Sequence, residues 1–257
     1  MGVEMERMSP SALLDVWEQG VAQPAVHKAL LLLHALLPDE SPEALAARSI
    51  GQRNSLLLTL REWLFGAQFE SVAMCPECGE RLELFFETAD IRAEAPREPE
   101  VTPAPEEALG LDVAGYAVQF RLPNSADLAS VMGYEDPAAA QRVLLARCVL
   151  SVDHAGVPVD GDTPETLPAE VVDAIVDGME QADPQANIVL ALTCPACGHE
   201  WQAVLDILTY VWDELDAWAR RALREVHYLA STYGWSEAEI LNLRPWRRQI
   251  YMDLIGR

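Results

Sequence analysis

Apolar residues recur at helical spacing through the first quarter of the chain and again through its last fifth. Between those stretches, two short segments alternate with a period of two. Residues 11–66 read as helices. Pro24 suits a first helical turn, followed by Val26, Leu30, Leu33 and Leu37, and Pro38-Asp39-Glu40-Ser41-Pro42 breaks the pattern. Ile50–Phe65 then sets Leu56, Leu57, Leu60 and Leu64 on one side, with Arg53, Arg61 and Glu62 elsewhere. The tail is the strongest helical stretch. Leu208, Trp212, Leu215, Ala219, Ala222, Val226, Leu229 and Tyr233 follow at alternating steps of four and three, an uninterrupted heptad seam. Gly234 ends it. Ser236-Glu237-Ala238-Glu239 has the form of a capping box, with Trp235 and Ile240 as its hydrophobic staple, and a last helix begins near Pro245.

The period-two segments flank two near-identical hexapeptides. Phe69–Met74 and Arg81–Glu87 bracket Cys75-Pro76-Glu77-Cys78-Gly79-Glu80. Ile188, Leu190 and Leu192 precede Cys194-Pro195-Ala196-Cys197-Gly198-His199, and Trp201, Ala203 and Leu205 follow it. Each reads as a strand–knuckle–strand hairpin. In the middle, Tyr116–Leu122 is a short strand, Ser125 an N-cap, Pro137 the start of a helix to about Leu150, and Asp153–Thr166 a loop. A helix over Pro168–Met179 leads back to the second knuckle.

The chain thus divides into a helical N-terminal region (1–66), a first knuckle hairpin (67–92), an acidic Pro-rich linker (93–107), a middle α/β region (108–184), a second knuckle hairpin (185–205) and a helical C-terminal region (206–257). The fold class expected is α+β and mainly α-helical. Helical N- and C-terminal parts are joined by two hairpin knuckles that form one zinc-ribbon-like site. The linker, with four prolines and five glutamates, cannot bury a core.

A C-P-x-C-G turn aims two sulfurs at one point, and its glycine lets the chain turn sharply behind them. Two such turns supply Cys75, Cys78, Cys194 and Cys197, a complete tetrahedral shell for a structural zinc with no position left for water. The spacing leaves open whether the four ligands come from one chain or are shared across a dimer. A redox dithiol is the competing reading, but the motif stands on hairpins and lacks a thioredoxin-like βαβ context. His199 follows Cys197 too closely to join the same shell and reads as an outer or surface residue. Cys148, within an apolar stretch, reads as a buried and inert thiol.

The chain of 257 residues carries a net charge of −23. From Asp206 onward there are seven Arg and eight acidic residues, so nearly all of the excess lies earlier. Such a surface repels phosphate and argues against broad nucleic-acid binding. Residues 1–8 contain Glu4 and Glu6 and no apolar core, unlike a signal peptide, and Ala29–Leu37 is far too short to cross a bilayer. The expectation is a soluble, cytoplasmic protein without a membrane or small-molecule partner. No nucleophile–base pair or phosphate-cradling loop stands out, and His27, His34, His154 and His227 are scattered singly; no enzyme is expected. The tail gathers Tyr233, Trp235, Arg244, Trp246, Arg247 and Arg248, residue types that protein interfaces favour. A zinc-ribbon regulator reading DNA with its C-terminal helices is the alternative.

Four clusters carry a family resemblance. The first is Gly51-Gln52-Arg53, Leu60-Arg61-Glu62 and Phe65-Gly66 ahead of the first knuckle. The second is Phe120-Arg121-Leu122-Pro123 with Asp127-Leu128, and the third is Asp183-Pro184-Gln185-Ala186 ahead of the second knuckle. The last is Val226-His227-Tyr228-Leu229-Ala230, Tyr233-Gly234-Trp235-Ser236-Glu237, Ile240-Leu241 and Arg247-Arg248-Gln249-Ile250-Tyr251. Together the chain resembles the baseplate hub assembly proteins of T-even-type contractile phages, and more closely their relatives in bacterial contractile injection systems. The resemblance implies a non-enzymatic role, as an assembly chaperone or a minor baseplate component. Its partners would be hub, spike or tube subunits, and the protein would act in the cytoplasm or within the finished particle. The zinc site rests on this sequence and is not inherited from the family.

Overall fold

The computed structural model describes residues 8–93, 108–159 and 166–255. All of the acidic linker except Ala93 lies outside the described residues, as do residues 160–165 of the Asp153–Thr166 segment. The chain forms two compact units, Met1–Leu36 with Leu208–Arg257, and Leu37–Ile207. Among the described residues, no helix is long and apolar enough to cross a membrane.

The first unit is helical. Ser9 caps α1 (Pro10–Gly20) through its hydroxyl, and α2 (Ala25–Leu36) buries Val26, Ala29, Leu32, Leu33 and Leu36. The buried stripe of α2 therefore runs one residue off the expected Leu30 and Leu37. The long α9 (Ile207–Tyr233) buries its seam from Leu208 to Leu229 without a gap. Gly234 follows at φ +68°, and Ser236 and Glu239 form the capping box of α10 (Glu237–Leu241). The last helix is α11 (Pro245–Ile255). Leu14, Ala219, Val226, Leu229, Ile240 and Leu241 make one core cluster, with Trp17, Trp218 and Trp235 packed against it. The Trp17 indole donates to Asp216 at 2.9 Å. Gly20 is needed where it is, because a Cβ there would sit 2.2 Å from the Trp212 ring.

The second unit begins with α3 (Pro42–Ala47) and α4 (Ile50–Phe65), whose N-terminus carries a Ser49–Gln52 capping box. The first knuckle hairpin is β1 (Gln68–Met74) against β2 (Arg81–Glu87), followed by a single turn, α5 (Thr88–Ile91). The middle region holds more strand than its periodicity predicts. A four-stranded antiparallel sheet runs in the order β3 (Leu109–Val113), β4 (Tyr116–Phe120), β5 (Val149–His154), β6 (Val157–Pro158). Helices α6 (Ser125–Val131), α7 (Pro137–Cys148) and α8 (Ala169–Ala182) accompany it. Val118, Phe120, Leu145, Val171 and Ile175 form its core. The second knuckle hairpin, β7 (Val189–Thr193) with β8 (Glu200–Val204), is again a separate two-stranded sheet.

Three local expectations are corrected. The α7 helix stops at Cys148, and Val149 already belongs to β5, where β-branched and aromatic neighbours on β4 win over helical continuation. The expected loop from Asp153 is a tight hairpin, because Ala155 and Gly156 both adopt positive φ, the geometry of a two-residue type I′ turn. The N-cap of α6 is Asn124, not Ser125: its side chain accepts from the Ala126 and Asp127 amides while Asp127 returns a bond to the Asn124 amide.

Candidate metal centre and its surroundings

Each knuckle is folded by its own backbone. The Cys75 amide donates to the Glu80 carbonyl at 2.8 Å and the Gly79 amide to the Cys75 carbonyl at 2.9 Å. In the second knuckle, the Cys194 amide donates to His199 and the Gly198 amide to Cys194 at the same distances. Gly79 and Gly198 have φ of +73° and +74°, values that would strain any side chain with a Cβ. The two knuckles are thus copies in conformation as well as in sequence.

They meet face to face. The four sulfurs of Cys75, Cys78, Cys194 and Cys197 lie within 4.8 Å of one another, and no other potential ligand joins the group among the described residues. Across the knuckles, Cys75 and Cys197 stand 3.7 Å apart and Cys78 and Cys194 3.6 Å apart. A disulfide needs about 2.05 Å. A tetrahedron with metal–sulfur bonds of about 2.3 Å has edges of about 3.8 Å. The spacing therefore fits four thiolates around one ion, and all four come from one chain. Cys75 and Cys194 are buried against Leu82, Leu84 and Trp201, while Cys78 and Cys197 are exposed. His199 stands apart and stacks on Trp201 at 6.0 Å, the outer position its spacing implies.

The electrostatics point the same way. Burial pushes the Cys194 thiol up, but the Cys197 and Ala196 amides aimed at its sulfur outweigh this and lower it to about 7. The Cys75 thiol is lowered through the corresponding balance, burial against the Cys78 and Glu77 amides. Cys78 goes the other way: the Glu80 amide lowers it, yet the Cys197 sulfur, burial and the remaining sulfurs push it to about 12. Amides prepare two sulfurs for negative charge, and mutual repulsion resists ionising the others. A divalent cation among them would supply the countercharge that lets all four be thiolates.

A second cluster ties α4 to the approach of the second knuckle. Sequence periodicity places Arg53 and Arg61 on the polar side of α4, but both are buried. The Arg53 guanidinium donates to Asn54 Oδ1 at 3.1 and 3.3 Å, and Asn54 donates onward to the carbonyls of Gln185 and Ala186. Arg61 lies over the Phe69 ring at 3.9 Å and donates to the Gly66 carbonyl. Asp183 accepts from the Gly51 amide at 2.8 Å, capping α4 from 132 residues away. Burial raises its carboxyl pKa, against lowering by the Gly51 amide, Ser49 and Arg53. Gly51 leaves no room: a Cβ would stand 1.7 Å from Asp183 Oδ1. Gln185 holds the Ala93 amide at 2.7 Å and the Ile91 carbonyl at 3.1 Å. Two of the resemblance-bearing clusters, Gly51-Gln52-Arg53 and Asp183-Pro184-Gln185-Ala186, are therefore one site in space.

A third such cluster is also internal. Asp127, fully buried, receives Arg121 at 2.6 and 2.9 Å and Arg147 at 2.8 Å. Burial alone would raise its carboxyl, but these bonds and the Asn124 amide hold it below the usual carboxylate range. Cys148 is buried, and burial raises its thiol to about 11, consistent with an inert role.

In the tail, Tyr233 stacks on Trp235 at 4.7 Å, Tyr251 meets both edge-on, and the Arg247 guanidinium lies 5.8 Å from the Tyr251 ring. Trp246 is 62% exposed, and Arg244 and Arg247 are also on the surface. Arg248 departs from the expected surface role. It is buried and donates to Glu225 at 2.6 Å, since α11 turns that side of the helix onto α9.

These packed clusters are the places where the sequence carries its family resemblance, and a comparison with protein families agrees. The family model described as T4 bacteriophage base plate protein matches residues 31–210, from within α2 to the first turn of α9. The chain belongs to the T4 bacteriophage base plate protein family. The matched span contains both knuckles and the Arg53–Asp183 cluster of this base plate protein, and it ends before the Tyr233–Glu237 segment. No curated protein and no solved structure matches the chain.

Proposed function

We propose that this base plate protein works without catalysis, as an assembly chaperone or minor component of a contractile phage tail or contractile injection system. The family match over residues 31–210 carries the reading. A structural zinc bound by Cys75, Cys78, Cys194 and Cys197 clasps two hairpins that come from distant parts of the chain. The gathering of four sulfurs from two knuckles within 4.8 Å of one another supports zinc over a redox dithiol, which needs only one pair. Tyr233, Trp235, Arg244, Trp246 and Arg247 form the docking surface for a hub, spike or tube subunit encountered in the cytoplasm, while the acidic charge keeps the protein soluble before assembly.

The test leaves the fold intact. Trp246→Ala with Arg247→Glu removes exposed groups only, and the variant is co-expressed with hub, spike and tube subunits of the same system. Loss of co-purification at unchanged thermal stability is the expected result. Undiminished co-purification of the hub refutes this docking surface. A gel shift with genomic DNA at physiological salt is expected to be negative; specific binding would favour the DNA-reading alternative.

A further inference from the structure

A groove of about 600 Å³ runs between the outer edge of β3 and helix α8, and none of the four cysteines lines it. Its floor is apolar and shallow: Leu111 and Phe120 from the sheet, and Ala174, Gly178 and Ala182 from successive turns of α8. Gly178 lets Phe120 lie against the helix backbone, since a Cβ there would approach the Phe120 ring to 3.1 Å.

Among the described residues β3 pairs with β4 alone. Ala114 and Gly115 form a two-residue turn with φ of +52° and +82°, so Val113 and Tyr116 are the hydrogen-bonded closing pair. Antiparallel pairs alternate, so Leu109, Leu111 and Val113 bond to β4 while the backbone groups of Gly110 and Asp112 face away from it. Unpaired groups of this kind are a template for another strand.

Charge selects the occupant. Glu170, Asp173, Asp177 and Glu180 are exposed at spacings of three and four along α8, a helix without a basic residue, and Asp177 lies on the rim of the groove. We propose that this groove binds an extended, basic segment of a partner protein, which adds to the sheet at β3. Its Lys or Arg stems would lie over the small residues of α8, with their charges on the carboxylate row. The chain's own residues 94–107 are a poor occupant: their five glutamates repeat the charge of α8, and their four prolines cannot donate to an edge. A second copy would bring a net charge of −23 to an acidic rim. The inference depends neither on the metal nor on the tail surface.

The probe is a fluorescein-labelled peptide, KVTVKVTVK, titrated with the full-length protein and followed by anisotropy, beside EVTVEVTVE as control. Gly110→Pro removes an outward amide and leaves the β4 ladder untouched; Asp173→Lys with Asp177→Lys reverses the rail. Each is expected to weaken the Lys peptide about tenfold without changing the melting temperature, and the Glu peptide should bind at least tenfold more weakly than the Lys peptide. Equal binding of the two peptides, no binding of either, or indifference to both variants overturns the proposal. So does recovery of binding only after deletion of residues 94–107, which would make that segment the occupant. A dimer in sedimentation that Gly110→Pro dissociates would assign the edge to a second copy instead.

Discussion

Replacing Cys75 by Ser, Cys194 by Ser, and both together asks whether the two knuckles are held by one shared ion. The structure bounds the effect. The sulfurs touch a small apolar cluster, Leu82, Leu84 and Trp201, whose burial contributes roughly 2 kcal/mol per side chain, or about 6 kcal/mol. Fixing Cys75–Glu80 and Cys194–His199 in their turns costs about 1.5 kcal/mol per residue, or about 18 kcal/mol for the twelve residues. Two-stranded hairpins are marginal by themselves. The deficit is close to the 10 kcal/mol or so that a structural zinc supplies. If one ion is shared, either single substitution releases most of that contribution, and the double substitution adds almost nothing. Hydrogen exchange on the amides of β1, β2, β7 and β8 reads this directly, with zinc release followed in parallel. The expected pattern is that Cys75→Ser deprotects β7 and β8 as fully as it does β1 and β2. Protection of the second hairpin after Cys75→Ser, or costs that add in the double variant, would refute a shared site.

Three further outcomes follow from the same geometry. Metal analysis of the purified protein should give one zinc per chain, and a cobalt-substituted sample should show the absorption of a tetrahedral four-sulfur site; a site with water or nitrogen in its shell would contradict the fit. Gly51→Ala should destabilise the second unit by about 3 kcal/mol in urea unfolding, because the new methyl displaces the Asp183 cap of α4; a change below about 0.5 kcal/mol would show that the cap yields freely. Asp127, held below the usual carboxylate range by burial outweighed by Arg121, Arg147 and the Asn124 amide, favours folding when ionised. Its contribution is full above the unfolded value near about pH 4 and drains away as pH falls through the folded value. Asp127→Asn should therefore lose stability at pH 7, by about 3 kcal/mol, and show a flatter acid limb than the unchanged protein; parallel acid limbs would exclude this role.

The fold was most legible where one periodicity ran long. The seam of α9 needs only local spacing, and the structure buries its positions from Leu208 to Leu229. The knuckles were legible because a repeated hexapeptide is informative without context. The capping box at Ser236–Glu239 is likewise written in four adjacent residues. What stayed hidden depends on contacts between distant segments. Arg53 and Arg61 look solvated by spacing, and only Asn54, Phe69 and Gly66 make their burial tolerable. No local rule joins Asp183 to Gly51; the one available hint was that both belong to clusters bearing the family resemblance. Strand β5 is hidden in the sequence because it starts directly at the end of α7, where an apolar run reads as more helix. Arg248 looked like its neighbours Arg244 and Arg247, and its helical phase toward Glu225 decides otherwise.

The order of the units along the chain has a consequence for synthesis. The first unit is assembled from residues 1–36 and 208–257, with the whole second unit between them in sequence. At about 5–20 residues per second, α1 and α2 wait roughly 10–40 s after leaving the ribosome before α9 exists to cover Leu14. The cap of α4 by Asp183 waits on the ribosome in the same way. A product truncated before α9 therefore never completes its first unit and keeps Leu14 available to chaperones and proteases. Interruption of synthesis at any point before α9 should leave a short-lived fragment.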